Sequence, residues 1–341
     1  MNLQRGTLIA YLTCAIIWGT TWFAIRASIG PDGYPTILAA ALRFTLAALV
    51  LAPLAIFARP WPRRGEWSWL VLAGALDALG YALIYLGERD VTGGLAAILF
   101  GTQPVILSMI LIATGMEVVR PVDVISAVVA LLGVGIIFAD QLDVSTGQAA
   151  GVGLILASVV VSALYAMVIK RKGQRINPLV STAIFVAVTA AFLWTGVAIH
   201  GDASIPWPLP MRATVALVYL AVAGTAIAFV AYFWLLARVS LVASNLLAFL
   251  LPVIALAIDA AFETEVRIGP RAALGIAVTL AAVVLSRLMA SAPTAPVDAG
   301  RGEPSGSGRG RDRHGAAEAE VVERLVSGQV STAPAAPRVL P

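Results

Sequence analysis

The sequence predicts an all-α, polytopic membrane protein with ten transmembrane helices arranged as two inverted five-helix repeats. Three observations lead there: an apolar composition, apolar runs of spanning length, and an internal repeat. Of the 341 residues, 60% are hydrophobic and only 12% are charged, whereas soluble proteins are about 45–50% apolar and about 25% charged. This composition excludes an ordinary soluble enzyme, a disordered protein and a nucleic-acid binder that uses broad basic patches. The expected surroundings are a lipid bilayer, with no nucleic-acid partner.

Continuous apolar runs of roughly 20 residues, the length needed to cross a bilayer, are separated by turn-forming and charged segments such as Gly30–Gly33 and Lys170–Gly173. The predicted spans are 7–29, 35–57, 67–86, 93–115, 121–139, 150–169, 179–199, 213–236, 240–261 and 271–289.

Lys and Arg residues predict the orientation, because cytoplasmic loops carry an excess of them. With the N-terminus inside, 11 of these residues fall on the cytoplasmic side and five on the other. The Lys170–Lys172 loop contributes most. We therefore expect a multi-pass protein of the cytoplasmic (inner) membrane with both termini in the cytoplasm. Residues 290–341 are rich in Gly, Pro, Ser, Ala and Arg and are predicted to form a disordered cytoplasmic tail.

An internal repeat divides the rest of the chain. Shifting residues 81–138 by 148 positions aligns them with 229–286 without a gap, placing Pro104-Val105-Ile106 over Pro252-Val253-Ile254 and Glu117-Val118 over Glu265-Val266. Five spans are an odd number, so the second copy enters the membrane in the opposite orientation. The two repeats are predicted to be 7–139 and 150–289, with a substrate site near the midplane between them, as in many secondary transporters.

Several short motifs resemble those of a known family. They are Trp18-Gly19-Thr20-Thr21, Arg43-Phe44, Leu99 to Val105, Gly224 to Phe229 and Leu250-Leu251-Pro252-Val253, followed by Glu263 or Glu265. In order and spacing they resemble an EamA-type member of the drug/metabolite transporter superfamily over about residues 7–289. The resemblance implies two EamA repeats, a central cavity, alternating access, and export or exchange of small metabolites, amino acids or drugs.

Two charges inside predicted spans are the sharpest functional signal. Arg43 and Asp77 lie at depths of roughly 12 and 14 Å, at 1.5 Å per helical residue, in helices joined by one short loop. An unpaired charge costs about 2.5–3.5 kcal/mol there, so pairing or contact with a wet cavity is expected. Arg43 would attract an anionic group, and Asp77 would carry a cation or exchange a proton. The alternative is a structural ion pair.

Further candidate substrate-binding residues are the aromatic residues Trp18, Tyr81 and Tyr165 and the amides Gln103 and Asn245. Belt or packing roles are the alternatives for these residues. Pro104 and Pro252 occupy matching positions in the two halves and predict helix breaks at the cavity.

The sequence has no phosphate-binding loop, zinc-binding pattern or other enzyme motif, and it predicts no cofactor, no metal site and no catalytic residue. We expect a secondary transporter that exports a small organic metabolite, with a proton as a possible coupling ion. An uptake permease of the same fold and a non-transporting scaffold or sensor remain alternatives. Ala273, Ala277 and Ala281 form a small-residue stripe that suits either a homodimer contact or packing within the chain.

Overall fold

The computed structural model describes residues 3–29, 32–138, 146–173, 175–201, 203–262 and 269–290. The predicted tail, apart from residue 290, and the acidic residues Glu263 and Glu265 lie outside them. The first half holds α1 (Leu3–Ile29), α2 (Thr36–Phe57), α3 (Trp67–Gly87), α4 (Gly93–Phe100), α5 (Gln103–Thr114) and α6 (Pro121–Phe138). The second half holds α7 (Thr146–Lys172), α8 (Pro178–His200), α9 (Met211–Tyr219), α10 (Ala228–Leu236), α11 (Leu241–Asn245), α12 (Leu250–Phe262) and α13 (Pro270–Ala290). All regular structure in the described ranges is helical.

Seven helical segments are long and apolar enough to cross a membrane, judged by length and composition. Three shorter apolar helical segments, Pro121–Gly133, Leu241–Ala255 and Ala273–Ala282, occupy the positions of predicted spans five, nine and ten. Large apolar side chains such as Leu49, Phe57 and Leu132 are exposed on the outside. A helical exterior of this kind suits contact with lipid. The protein is therefore a polytopic, all-helical membrane protein.

Predicted spans four and nine are each two helices rather than one. In span four, α4 ends at Phe100 and α5 begins at Gln103, so that Pro104 lies in the first turn of α5. In span nine, a 3-10 turn over Leu246–Phe249 precedes α12, and Pro252 lies in the first turn of α12. Proline is tolerated there because the first amide groups of a helix have no intrahelical acceptor.

The two broken spans also begin alike. The Thr92 hydroxyl caps α4 by accepting a hydrogen bond from the Leu95 amide at 3.3 Å. The Ser240 hydroxyl caps α11 by accepting one from the Ala243 amide at 3.1 Å. Both donor and acceptor differ by 148 positions between the two caps, which is the offset of the sequence repeat.

Helix packing joins the halves throughout. The closest-packed pairs are α6 with α13, α3 with α7, and α2 with α8, and α1 packs on α9, α10 and α12. Glycines permit the closest approaches. An added Cβ at Gly133 would lie 2.8 Å from the backbone nitrogen of Thr279 on α13, and one at Gly87 would lie 2.9 Å from the carbonyl oxygen of Gly151 on α7.

Hydrogen bonds between loops define two ends of the helical bundle. At the basic end, which we define as residues 57–66, 115–120, 170–173, 175–177 and 236–241, the Asn177 backbone nitrogen donates to Pro60 O at 3.1 Å and Arg175 forms an ion pair with Glu66. At the opposite end, defined as residues 26–29, 32–35, 87–93 and 210–214, the hydroxyls of Tyr34 and Thr214 are 2.8 Å apart.

Candidate functional site

A cavity of about 70 Å³ lies between the two halves, with room for several water molecules. Its wall combines aromatic rings, small hydroxyl and amide groups, and one arginine. The lining residues are Trp18, Thr21, Trp22, Ile25, Arg43, Tyr81, Ile84, Phe100, Gln103, Ser162, Tyr165, Phe229, Tyr232, Ser244, Asn245, Leu247, Ala248 and Leu251. Six predicted site residues, Trp18, Arg43, Tyr81, Gln103, Tyr165 and Asn245, are thus brought together around one space.

Arg43 is the only charged residue among the described residues of this wall, and it is fully buried. Its Nε donates to the Thr225 hydroxyl at 2.8 Å, and its Nη2 donates to the Gly224 carbonyl at 3.3 Å and to the Tyr81 hydroxyl at 3.4 Å. Within the described part of the chain its Nη1 has no hydrogen-bond partner. The guanidinium carbon also lies 4.7 Å from the centre of the Tyr81 ring, a cation–π distance.

A π-helical segment, Leu220–Ile227, supplies two of these partners and connects α9 to α10. The Thr225 hydroxyl donates to Leu220 O, five residues earlier, at 2.9 Å. The Gly224 carbonyl accepts hydrogen bonds from side chains, Trp18 Nε1 at 3.2 Å and Arg43 Nη2. Wide turns of this kind occur often at functional sites. Gly224 and Thr225 entered the sequence argument only as part of a motif, because no sequence signal marks a π-turn.

Phe229 of α10 forms the centre of the aromatic wall. Its ring centroid is 5.5 Å from that of Trp18, 6.3 Å from Tyr81 and 6.5 Å from Tyr165. The Trp18 and Tyr232 rings meet edge to face at 5.0 Å. Rings from α1, α3, α7 and α10 therefore surround the space beside Arg43. Phe229 and Tyr232 were not among the candidate binding residues of the sequence analysis, but both are buried and line the cavity.

The two amide side chains of the wall come from the two broken spans, one from each. Gln103 is the first residue of α5, and Asn245 is the last residue of α11. The Asn245 amide nitrogen donates to Leu241 O at 3.3 Å. Ser162 and Ser244, which sequence reasoning missed, lie in the same wall.

Asp77 faces α8 rather than the cavity wall. It is buried at 2% exposure, and its Oδ2 accepts a hydrogen bond from the Thr189 hydroxyl of α8 at 3.1 Å. Among the described side chains, no ion pair joins Asp77 to Arg43, and Asp77 is not part of the cavity wall. Pairing was one of the two arrangements expected for these charges, and among the described residues Tyr81, one turn further along α3, contacts Arg43 instead.

Pro104 and Pro252 also lie outside the wall, although their neighbours Gln103 and Leu251 line it. The prolines therefore adjoin the breaks, and residues beside them form the cavity surface. In the part of the chain that the structure describes, no cluster of three or more His, Cys, Asp or Glu residues is placed to bind a metal ion.

A family profile and curated relatives match this chain. The sequence profile of the EamA-like transporter family matches residues 5–139 and again 149–288. A probable terminal-alkyne amino-acid exporter from Streptantibioticus cattleyicolor is 29% identical over 303 residues, which cover 84% of this chain and 94% of the relative. Protein PagO from Salmonella typhimurium is 24% identical over 52% of this chain and 59% of its own length.

A solved crystal structure superposes with a TM-score of 0.67 at 20% sequence identity. The match covers 84% of this chain and 99% of the solved chain. At this identity the likeness concerns the fold alone.

Proposed function

This chain belongs to the EamA-like transporter family and is a membrane transporter rather than an enzyme, and we propose that it is a secondary transporter that exports small organic carboxylates of the amino-acid class. The observation that carries this proposal is the environment of Arg43. In the described part of the aromatic wall there is a single guanidinium, and its Nη1 has no hydrogen-bond partner there. Guanidinium groups bind carboxylates with strong, directional hydrogen bonds.

The rest of the wall complements an anion with an apolar body. The rings around Phe229 offer flat apolar surface, and such surface favours aliphatic or aromatic groups. Gln103 and Asn245 offer both amide donors and carbonyl acceptors, which would orient a second polar group such as an amine. The name of the amino-acid exporter relative agrees with this substrate class and with outward transport.

Alternating access between two inverted five-helix repeats is the proposed mechanism. Exchanging the halves converts the α1–α10 contact into α7–α3. It converts the contacts of α2 with α9 and the π-helical segment into α8–α3, and all of these contacts are observed. The matching caps at Thr92 and Ser240 and the double match of the family profile also support a repeat. The repeats would be 7–139 and 150–289, and they would rock about the cavity between them.

The proposed location is the cytoplasmic membrane, with the basic end and both termini facing the cytoplasm. The basic end includes Arg59, Arg63, Arg64 and Lys170–Lys172, and this bias agrees with the positive-inside rule. A homodimer through Ala273, Ala277 and Ala281 stays a prediction; all three are exposed.

Reconstitution into liposomes tests the proposal. Purified protein would be assayed for flux of a panel of labelled amino acids, other carboxylates and neutral or cationic metabolites, with and without a pH gradient. We expect carboxylates to move and Arg43→Gln to abolish their flux. Arg59→Gln, an exposed arginine at the basic end, is the matched control and should transport normally. Full carboxylate flux in Arg43→Gln would disprove the assignment.

The same flux assay tests two alternative functions. An uptake permease would carry the same substrates in the other direction under a physiological gradient. A non-transporting scaffold or sensor would depend on the tail. Deleting residues 290–341 should leave flux unchanged if the chain is a transporter and should remove partner binding if it is a scaffold.

A further inference from the structure

Glu88 is, like Asp77, a buried acidic residue. It lies at the opposite end of the bundle, and the proposed function does not involve it. It follows directly after α3 and is only 3% exposed. Both of its carboxyl oxygens are buried without a hydrogen-bond partner among the described residues.

An ionised carboxylate in this position would be unfavourable. A buried charge needs hydrogen bonds or a close counter-ion to replace the water it loses. The cations that interact with Glu88 are Arg26 of α1 and Arg43 of α2, but neither is among the ion pairs of the described chain. Arg26 directs its Nη1 to Val91 O at 3.5 Å instead. A neutral, protonated carboxyl group is more favourable in a buried position without hydrogen bonds or a close counter-ion.

The other neighbours of Glu88 do not replace the missing donors. On α3 the facing titratable group is Tyr85, which interacts electrostatically with both Glu88 and Arg43. On the α7 side, Gly151 and Ile155 pack against Gly87 and carry no charge. The chain neighbours Arg89 and Asp90 are exposed.

Glu88 is nevertheless connected to the cavity through α3. Tyr81, Ile84 and Glu88 are spaced i, i+3 and i+7, which places them on one face of the helix. Tyr81 and Ile84 line the cavity, and Tyr81 accepts a hydrogen bond from Arg43. This face therefore leads from the candidate anion site to the end of α3, where the next two residues, Arg89 and Asp90, are exposed.

We propose that Glu88 is a proton-binding site whose protonation is linked to anion binding at Arg43. One proton from water at the opposite end adds to the carboxylate and gives the neutral acid, and the reverse step returns it. A substrate carboxylate at Arg43 offsets the positive charge that favours ionised Glu88, so anion binding favours proton binding, and the effect is reciprocal. The link to anion binding rests on the proposed function, whereas the proton site does not.

Infrared difference spectroscopy on protein in liposomes tests the proton site directly. At neutral pH, where exposed carboxyl groups are ionised, the wild type should show the carbonyl band of a protonated carboxyl group. Glu88→Gln should lose this band. Glu66→Gln is the matched control, because Glu66 forms an ion pair with Arg175, and it should keep the band. Carbon-13 labelling of glutamate should shift the band in the wild type, which separates it from Asp77 even if a variant fails to fold.

A second measurement tests the link with benzoate, a carboxylate with an aromatic body. Adding benzoate should increase the band in the wild type and leave it unchanged in Arg43→Gln. A full band in Glu88→Gln, or no band that shifts with labelled glutamate, would overturn the proton site. A pH-dependent band that ignores benzoate would overturn only the link.

Discussion

At the scale of single residues, hydrogen bonds to the described residues hold two of the three nitrogens of the Arg43 guanidinium. Nε is fixed by the Thr225 hydroxyl at 2.8 Å, and Nη2 by the Gly224 carbonyl at 3.3 Å. Thr225 in turn donates its own hydrogen to Leu220 O. Nε and Nη2 thus have defined partners, whereas Nη1 is buried without a hydrogen-bond partner among the described residues.

Thr225→Val should therefore weaken substrate binding without removing the charge. A hydrogen bond to a charged group contributes about 1.5–3 kcal/mol, so KM for the transported carboxylate should rise by about 10- to 100-fold. Initial rates in liposomes measure this, and Thr225→Ser should restore the wild-type KM. Thr279→Val is the matched control: Thr279 is equally buried but bonds within the α6–α13 contact. An unchanged KM in Thr225→Val would contradict the positioning role.

The sequence suggested Arg43 as one possible partner of Asp77, whereas the structure gives the Thr189 hydroxyl, and the reason for the difference is geometric. Depth along a helix follows from residue counting, and depth alone suggested the pair. Rotation about the helix axis depends on which neighbours α3 packs against, and α3 contacts α2, α7 and α8. The Thr189 hydroxyl that binds Asp77 lies 112 residues further along the chain. No local pattern predicts that contact.

At the scale of helices, the approach of α1 to α12 depends on one glycine beside the cavity. An ideal Cβ at Gly19 would lie 2.6 Å from Cβ and Cγ2 of Ile254. Because Ile254 Cβ is fixed to its backbone, the helices would have to separate.

Gly19→Ala should accordingly lower stability by about 1–3 kcal/mol, the usual cost of overpacking. Thermal unfolding in detergent, followed by tryptophan fluorescence, should show a lower Tm. Gly19→Ala with Ile254→Ala should recover part of the loss. Gly153→Ala on α7, where an added Cβ meets nothing within 4 Å, should be neutral or stabilising. Equal Tm values for Gly19→Ala and the wild type would refute this packing argument.

The existence of the helices could be predicted, because apolar runs of spanning length are a strong signal. The prolines indicated where two spans break. The π-helical segment could not be predicted, because residues 220–227 contain neither proline nor a charge. A change from i, i+4 to i, i+5 hydrogen bonding there depends on partners in other helices, among them Arg43. The elements could be predicted, but the local geometry that orients the candidate site could not.

At the scale of the whole molecule, two charged side chains hold the loop between α10 and α11 at the basic end. Lys170 of α7 donates from Nζ to Leu236 O at 2.8 Å and to Val239 O at 2.6 Å. Glu117, after α5, accepts from the Leu241 amide nitrogen with both carboxyl oxygens, at 3.1 and 3.0 Å. The loop thus joins α7 and the α5–α6 connection, and it leads into helices that line the cavity. In the proposed alternating access, opening at the basic end would move this loop, and these hydrogen bonds would oppose that movement.

Glu117→Gln should shift the equilibrium toward conformations open at the basic end. Hydrogen bonds with an ionised partner are roughly twice as strong as neutral ones, so the loss is about 1 kcal/mol and the shift about 5-fold. Ser244→Cys, in a Cys14→Ser background, reports the change, because Ser244 is fully buried in the cavity wall one turn beyond Leu241. Its alkylation by a membrane-impermeant maleimide should accelerate about 5-fold, and only when the reagent is added on the side of the basic end.

Arg238→Gln is the matched control for this measurement. Arg238 is an exposed charge in the same loop, and its side chain donates to Trp234 O of its own helix. Its replacement should leave the alkylation rate unchanged. Equal rates in Glu117→Gln and the wild type would mean that the loop does not control access, and that the barrier at this end lies deeper, among the aromatic rings around Phe229.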